Sequence, residues 1–258
     1  MLVLLPPSEG KAAPGRGKPL DLGSLSLPEL TDAREAVLDA LVSLCAGDED
    51  KALDVLGLGP GLRGEVAKNA ALRTAGTRPA ERVYTGVLYD ALGLAELDAA
   101  ARRRARRSLL VFSGLWGAVR VGDRIPSYRC PVGVKLPGLG ALGPYWRRHL
   151  GAVLPQAAAR ARLVLDLRSA AYAAAWRPAG ELAERTATVR VLHGGAVVSH
   201  FNKATKGRIV RDLLTSGADP AGPAELAGVL RDLGYAVTAA APERAGRGWA
   251  LDVEVEEL

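Results

Sequence analysis

The sequence predicts a mixed α/β fold: a central β-sheet flanked by helices, with a helix-hairpin-helix segment and a basic cleft. Three observations carry that expectation. Short apolar runs at Leu2 to Leu5, Leu109 to Phe112 and Leu163 to Leu167 each break off into polar residues, as buried strands do when they deliver loops to a sheet edge. Between them lie stretches with helical apolar spacing, such as Leu30, Val37, Leu38, Leu41, Leu44 and Cys45. Residues 57–62 read Gly-Leu-Gly-Pro-Gly-Leu between two helical stretches. All 258 residues are read as one α/β domain containing the helical segment at 26–80.

A hydrophobic content of 48% and a charged content of 24% are those of an ordinary globular protein. The formal net charge of +6 favours anionic partners, although Arg-heavy, Ala-rich usage also follows from genomic base composition. Cys45 and Cys130 form no CxxC pair, which fits a reduced cytoplasmic protein better than a secreted one. His149, His193 and His200 lack metal-ligand spacing, so neither a metal nor a cofactor is expected. No apolar run approaches the roughly 20 residues of a membrane span, and the apolar start at Met1 to Leu5 is too short for a signal sequence. The cytoplasm is the expected location and a monomer the working assumption.

The first strand runs into Pro6-Pro7-Ser8-Glu9-Gly10-Lys11, which makes Ser8, Glu9 and Lys11 site candidates at a strand's carboxyl end. A Walker A pattern is absent, so a P-loop nucleotidase is not expected. Helices then flank Gly57, Gly59 and Gly61, an arrangement in which glycines expose N–H groups at a helix start to a phosphate oxygen. Arg63, Lys68 and Arg73 add attraction that is blind to base sequence. A tight turn between helices needs glycine for purely structural reasons too, and that alternative stands. Val83 to Tyr89 reads as a strand entering a turn, with Tyr84 and Thr85 lining a pocket or edging the core. Arg102, Arg103, Arg106 and Arg107, but not Arg104, cluster on one face of the helix from Ala95 to Arg107, read as a solvated face with a nucleic-acid patch as the minority reading.

Ser113 to Arg129 gathers Ser113, Trp116, Arg120, Asp123, Arg124, Tyr128 and Arg129, planar stacking surfaces interleaved with guanidinium forks. That mixture suggests an anion or nucleotide site; the plain alternative is a surface loop in which Arg120 pairs with Asp123. Tyr128 to Val134 reads as a short strand, and Trp146 as packing on the site wall. The strand at Leu163 to Leu167 empties into Arg168 and Ser169, followed by Tyr172 on a small-residue helix. A hairpin closed at Gly194-Gly195 precedes a helix starting near Asn202, and a terminal helix and two strands complete the chain. Wheel angles place Lys203 and Lys206 on that helix's apolar stripe with Val210, Leu213 and Leu214, while Arg208 and Arg211 face away. Two inward lysines at a helix start suit a bound anion; the alternative is that both snorkel to water. The acidic end, Glu254, Glu256 and Glu257, is expected to lie away from nucleic acid.

SGLWGAVRVGDRIPSYR at 113–129, VYTGVLYDAL at 83–92 and SHFNKATKG at 199–207 resemble the YaaA family of bacterial peroxide stress resistance proteins. The shared motif order runs from LLPPSEGK at 4–11, which includes Lys11 but not Lys18, to LRDLGYAV at 230–237. The resemblance implies a cytoplasmic α/β protein with a helix-hairpin-helix element and a positive cleft, implicated in DNA binding and in limiting oxidative damage. It implies no agreed reaction. The expected cleft is built from Lys11, Arg120, Arg129, Lys203 and Lys206, and the expected partner is duplex DNA with little sequence preference. The rival expectation is an enzyme acting on a nucleobase, nucleotide or other small anion stacked on Trp116 or Tyr128. Its catalytic candidates are Lys11, Lys203, Lys206 and Asp123, with Asp166 a further orienting carboxylate.

Overall fold

The computed structural model describes residues 1–197 and 199–255, except for the side chains of 197–201. Glu256 and Glu257 lie outside the described residues. The chain opens with β1 (Leu2–Leu5) and, after a long loop, α1 (Thr31–Ala46), α2 (Glu49–Leu56) and α3 (Arg63–Ala70). A two-residue strand β2 (Arg78–Pro79) leads to α4 (Val87–Leu92) and α5 (Ala99–Ser108). The hairpin of β3 (Leu109–Ser113) and β4 (Gly117–Arg120) follows, then β5 (Arg124–Ile125), which pairs with β2. Next come the small hairpin β6 (Lys135–Leu136) and β7 (Gly140–Ala141), then α6 (Leu142–Ala158) and β8 (Val164–Asp166). The last third comprises the one-turn helices α7 (Ala170–Ala173) and α8 (Glu181–Glu184), β9 (Thr186–His193), β10 (Ala196–Val197), α9 (Ser199–Ser216), α10 (Pro223–Asp232), β11 (Ala236–Ala240) and β12 (Trp249–Glu254).

The central sheet runs β11-β12-β9-β8-β1-β3-β4, with β10 folded back onto β9. β12, β9, β8, β1 and β3 are parallel, and β11 and β4 close the two edges antiparallel. Every residue of β1, β3 and β8 is buried, as expected of parallel strands covered on both faces. Burial of each such Leu or Val contributes on the order of 2 kcal/mol relative to exposure. Because these strands point the same way, the loops after β1, β3 and β8 leave from one edge. Among the described residues, no helix is long and apolar enough to cross a membrane.

The structure departs from the sequence reading at 83–89 and at 128–134, each with a local cause. Residues 83–89 do not form a strand: a 3-10 turn at Ala80–Arg82 ends at Val83, and α4 begins after Gly86, whose N–H donates to Asp90 Oδ1 at 3.2 Å. α4 then lies so close to α9 that a Cβ on Gly207 would collide with Leu88 O. Residues 128–134 are irregular as well. The backbone there is satisfied by a side chain, since Asn69 Nδ2 donates to Arg129 O at 2.7 Å and Arg129 N donates to Asn69 Oδ1 at 2.9 Å.

Candidate functional site

The loops after β1, β5 and β8, the start of α4 and Lys203 of α9 enclose a cleft of about 650 Å³. Its lining includes Ser8, Glu9, Lys11, Thr85, Tyr89, Tyr128, Arg129, Cys130, Ser169, Tyr172 and Lys203. A larger hollow of about 1090 Å³ beside α6 is lined in part by Arg147 and Arg185. Those two arginines direct N–H groups to the carbonyls of Ala174, Ala159 and Ala161, which makes them structural ties. The smaller cleft is the stronger candidate because separate sequence motifs converge on it.

Lys11 is its central residue. Its backbone bridges to Tyr84, and its Nζ donates to Ser8 O at 2.9 Å. The ammonium lies 4.4 Å from the Tyr128 ring centroid and 5.7 Å from that of Tyr84. Burial first and the Arg129 guanidinium second bring its pKa down to about 8. The tyrosines are fixed from behind: Tyr84 and Tyr128 share a hydroxyl hydrogen bond of 3.0 Å, and Tyr128 reaches Ser113 Oγ at 2.6 Å. Ser113 Oγ also accepts the N–H groups of Leu115 and Trp116, tying this chain of hydroxyls to the β3–β4 turn. Burial raises the pKa of both phenols, so they act as hydrogen-bonding walls and not as phenolates.

Around this centre, Arg129 donates to Glu9 O at 2.9 Å and pairs with the exposed Glu9 carboxylate at 3.3 Å. Ser8 Oγ accepts from Thr85 N at 3.1 Å, stitching the β1 loop to the segment before α4. Burial pushes the Cys130 thiol and the Tyr172 phenol each up to about 12. The loop after β8 is set by Arg168, which pairs twice with Asp166, at 2.8 and 2.6 Å, and also donates to Trp176 O at 2.8 Å. Its guanidinium stacks 4.2 Å from the Phe112 centroid. That arrangement leaves Ser169 and Tyr172 on the cleft wall.

Several expected site residues lie elsewhere. Trp116 is fully buried and meets Tyr128 edge-on, leaving no face for a ligand to stack on. Arg120 sits at the far end of β4, opposite Leu110, and its guanidinium donates to Arg107 O. Asp123 is buried and accepts from Arg120 N, Ser26 N and Ser26 Oγ, a loop-closing role; the side chains of Arg120 and Asp123 do not pair. Of the two α9 lysines, exposed Lys203 lines the cleft and Lys206 does not. Lys206 is half-buried near Asp166, with its pKa lowered by burial against the pull of that carboxylate. Asn202 is half-buried, and among the described residues its Oδ1 has no hydrogen-bond partner.

Gly57, Gly59 and Gly61 form an exposed turn between α2 and α3. Arg63 pairs with Glu49 and Asp50, Lys68 with Glu65, and Arg73 with Glu35 and Asp39, so each of these three basic residues has carboxylate company. Three contributors were not singled out from the sequence: Asn69, Tyr89 and Cys130. Tyr89 stacks on Tyr84 at 5.3 Å and donates to Pro6 O at 2.6 Å. It stands within the motif at 83–92, a signal that pointed to the right place.

Comparison with known proteins adds the family. Residues 1–241 match the family model described as peroxide stress protein YaaA. A UPF0246 protein of Streptomyces coelicolor is 73% identical over the full length of both chains. A UPF0246 protein of Corynebacterium efficiens is 43% identical across 92% of this chain and 94% of its own. One from Cereibacter sphaeroides is 31% identical across 85% of this chain and 88% of its own. The chain belongs to the YaaA family of peroxide stress proteins.

Proposed function

We propose that the protein binds DNA in the cytoplasm during peroxide stress and limits oxidative damage to it, gripping the backbone without reading sequence. The observation that supports this reading is that Lys11, Arg129 and Lys203 all line one cleft. Among the described residues its single lining carboxylate, Glu9, is already paired with Arg129. The Gly57–Gly61 turn acts with α2 and α3 as a helix-hairpin-helix, offering N–H groups at the start of α3 to a phosphate. Asn69, on the same helix, touches the cleft wall, and the helical rise sets it about 9 Å of axis from Arg63 at the helix start. A backbone held at the turn thus runs beside the cleft. Since Arg63, Lys68 and Arg73 are each paired with acids, the turn works mainly through its amides and the cleft supplies the charge.

Fluorescence anisotropy with labelled duplexes of unrelated sequence, titrated across ionic strength, tests this. Similar affinities that fall steeply with salt are expected. Absence of binding at low salt, or binding indifferent to salt, overturns the reading.

A second reading, an enzyme acting on a nucleotide or another small anion, is favoured by the confined volume of about 650 Å³, inside the roughly 300–1,000 Å³ range of small-molecule sites. Thermal shift with nucleoside phosphates and inorganic phosphate separates the two. Stabilisation by a mononucleotide without duplex binding supports the enzyme.

A further inference from the structure

We propose that Lys11 is an imine-forming amine and that the cleft takes a phosphate-bearing aldehyde. This deepens the reading that the cleft is the ligand site. Anion binding alone does not explain how Lys11 is placed. Arg129 and Lys203 line the same cleft and supply positive charge to a phosphate, and arginine holds its proton at any physiological pH. Lys11 instead sits at the centre with no carboxylate paired to it among the described residues. Its one hydrogen bond is to a neutral carbonyl, Ser8 O, at 2.9 Å, and aromatic rings wall it on two sides. Burial and Arg129 favour the uncharged amine, and with a pKa of about 8, about a quarter of molecules carry a free lone pair at pH 7.5.

The chemistry balances without a further reactant. The Lys11 nitrogen attacks the aldehyde carbon, and a C–N bond forms as the carbonyl oxygen takes up a proton. The carbinolamine then loses that oxygen as water, carrying both amine hydrogens, to leave C=N. Two sources present an aldehyde beside a phosphate: the ring-opened sugar of a base-free site in DNA, and a free sugar phosphate.

The test is reductive trapping with sodium borohydride on the full-length protein. Its arms are a duplex with one base-free site, the same duplex intact, and 2-deoxyribose 5-phosphate, read by denaturing gel and by peptide mass. A covalent adduct on Lys11 with either aldehyde, and none with intact duplex, is the expected result. The arm that traps identifies the source. Lys11→Met and Lys11→Arg, each checked to be folded by a cooperative melting transition, should lower trapping about tenfold or more. Unchanged trapping in a folded variant, an adduct confined to other lysines, or no adduct with either aldehyde overturns the proposal. Salt-dependent binding of intact duplex is measured alongside. Binding without an adduct defeats the imine but not DNA recognition, and a Lys11 adduct with the sugar phosphate without DNA binding does the reverse.

Discussion

Asn69 and Arg129 are joined by two hydrogen bonds, 2.7 and 2.9 Å, through which a side-chain amide on α3 serves the backbone of the cleft wall as a neighbouring strand would. Asn69 is fully buried, and its loss leaves the N–H and C=O of the half-buried Arg129 without these partners. Asn69→Ala is therefore expected to lower stability by about 2 kcal/mol or more and to weaken ligand binding through a loosened Arg129. Asn69→Asp keeps the acceptor and loses the donor. Chemical denaturation of both variants checks this, and an Asn69→Ala curve that overlays wild type refutes it.

The glycine turn divides into two classes. Gly57 has φ of +63°, in the left-handed region, whereas Gly59 has φ of −72° and Gly61 lies outside that region. No atom stands within 4 Å of a Cβ built on any of the three. Gly57→Ala should thus cost about 1 kcal/mol, while Gly59→Ala and Gly61→Ala leave the melting temperature near wild type. If the turn holds phosphate, the last two variants weaken DNA binding without loss of stability. Unchanged affinity in both would make the turn a purely structural connection.

How much of this was legible in the sequence follows from what makes a signal local. Continuous apolar runs marked β1, β3 and β8, and the polar residues after them, Ser8, Lys11, Ser169 and Tyr172, do meet in one cleft because parallel strands share a carboxyl edge. The motif at 113–129 misled because the chain reverses inside it. β4 runs antiparallel to β3, carrying Arg120 about 10 Å back toward the amino ends of the parallel strands, and Trp116 turns into the core. Tyr128 and Arg129, beyond the reversal, return to the cleft. Asn69 gave no signal, since its partner lies 60 residues away and one amide on a helix has no periodicity. Arg34 is similar: fully buried in α1, it donates to the carbonyls of Ser26, Leu27, Trp116 and Ala118.

The two α9 lysines should separate by experiment. Lys203 lines the cleft, so Lys203→Met is expected to weaken duplex binding and reduce the salt slope by about one ion, with little effect on stability. Lys206 is held near Asp166, and burial outweighs that attraction. Lys206→Met should leave both affinity and salt slope at wild-type values while keeping or slightly raising stability. Equal loss of binding in the two variants would place Lys206 in the site as well.

Peroxide stress draws attention to cysteine, yet Cys130 is poorly suited to react. Its thiol is buried on the cleft wall and pushed up to about 12 by that burial, so the thiolate is scarce at neutral pH. Alkylation by iodoacetamide at pH 7.5, followed by peptide mass, is expected to modify Cys130 only once the protein is unfolded. Fast labelling in the native state contradicts this.

Burial of the Lys11 amine also leaves a signature in stability. Its pKa is about 8 in the folded protein against 10.5 in the unfolded chain. Well below pH 8 both states hold the proton, and the folded state bears the full penalty of a buried charge. Between pH 8 and 10.5 the unfolded chain keeps a proton that the folded chain has released, so stability contributed by this group rises with pH through that window. Above it neither state is charged and the penalty is gone. The swing is on the order of 3 kcal/mol. Lys11→Met removes the titrating group, and the variant is expected to be as stable as wild type or more so at pH 7. Because the tyrosines and cysteines titrate in both proteins, the informative quantity is the difference between the two urea-unfolding free energies at each pH. That difference should shift in favour of wild type from pH 8 upward; parallel profiles would mean that the Lys11 amine is solvated and keeps an ordinary pKa.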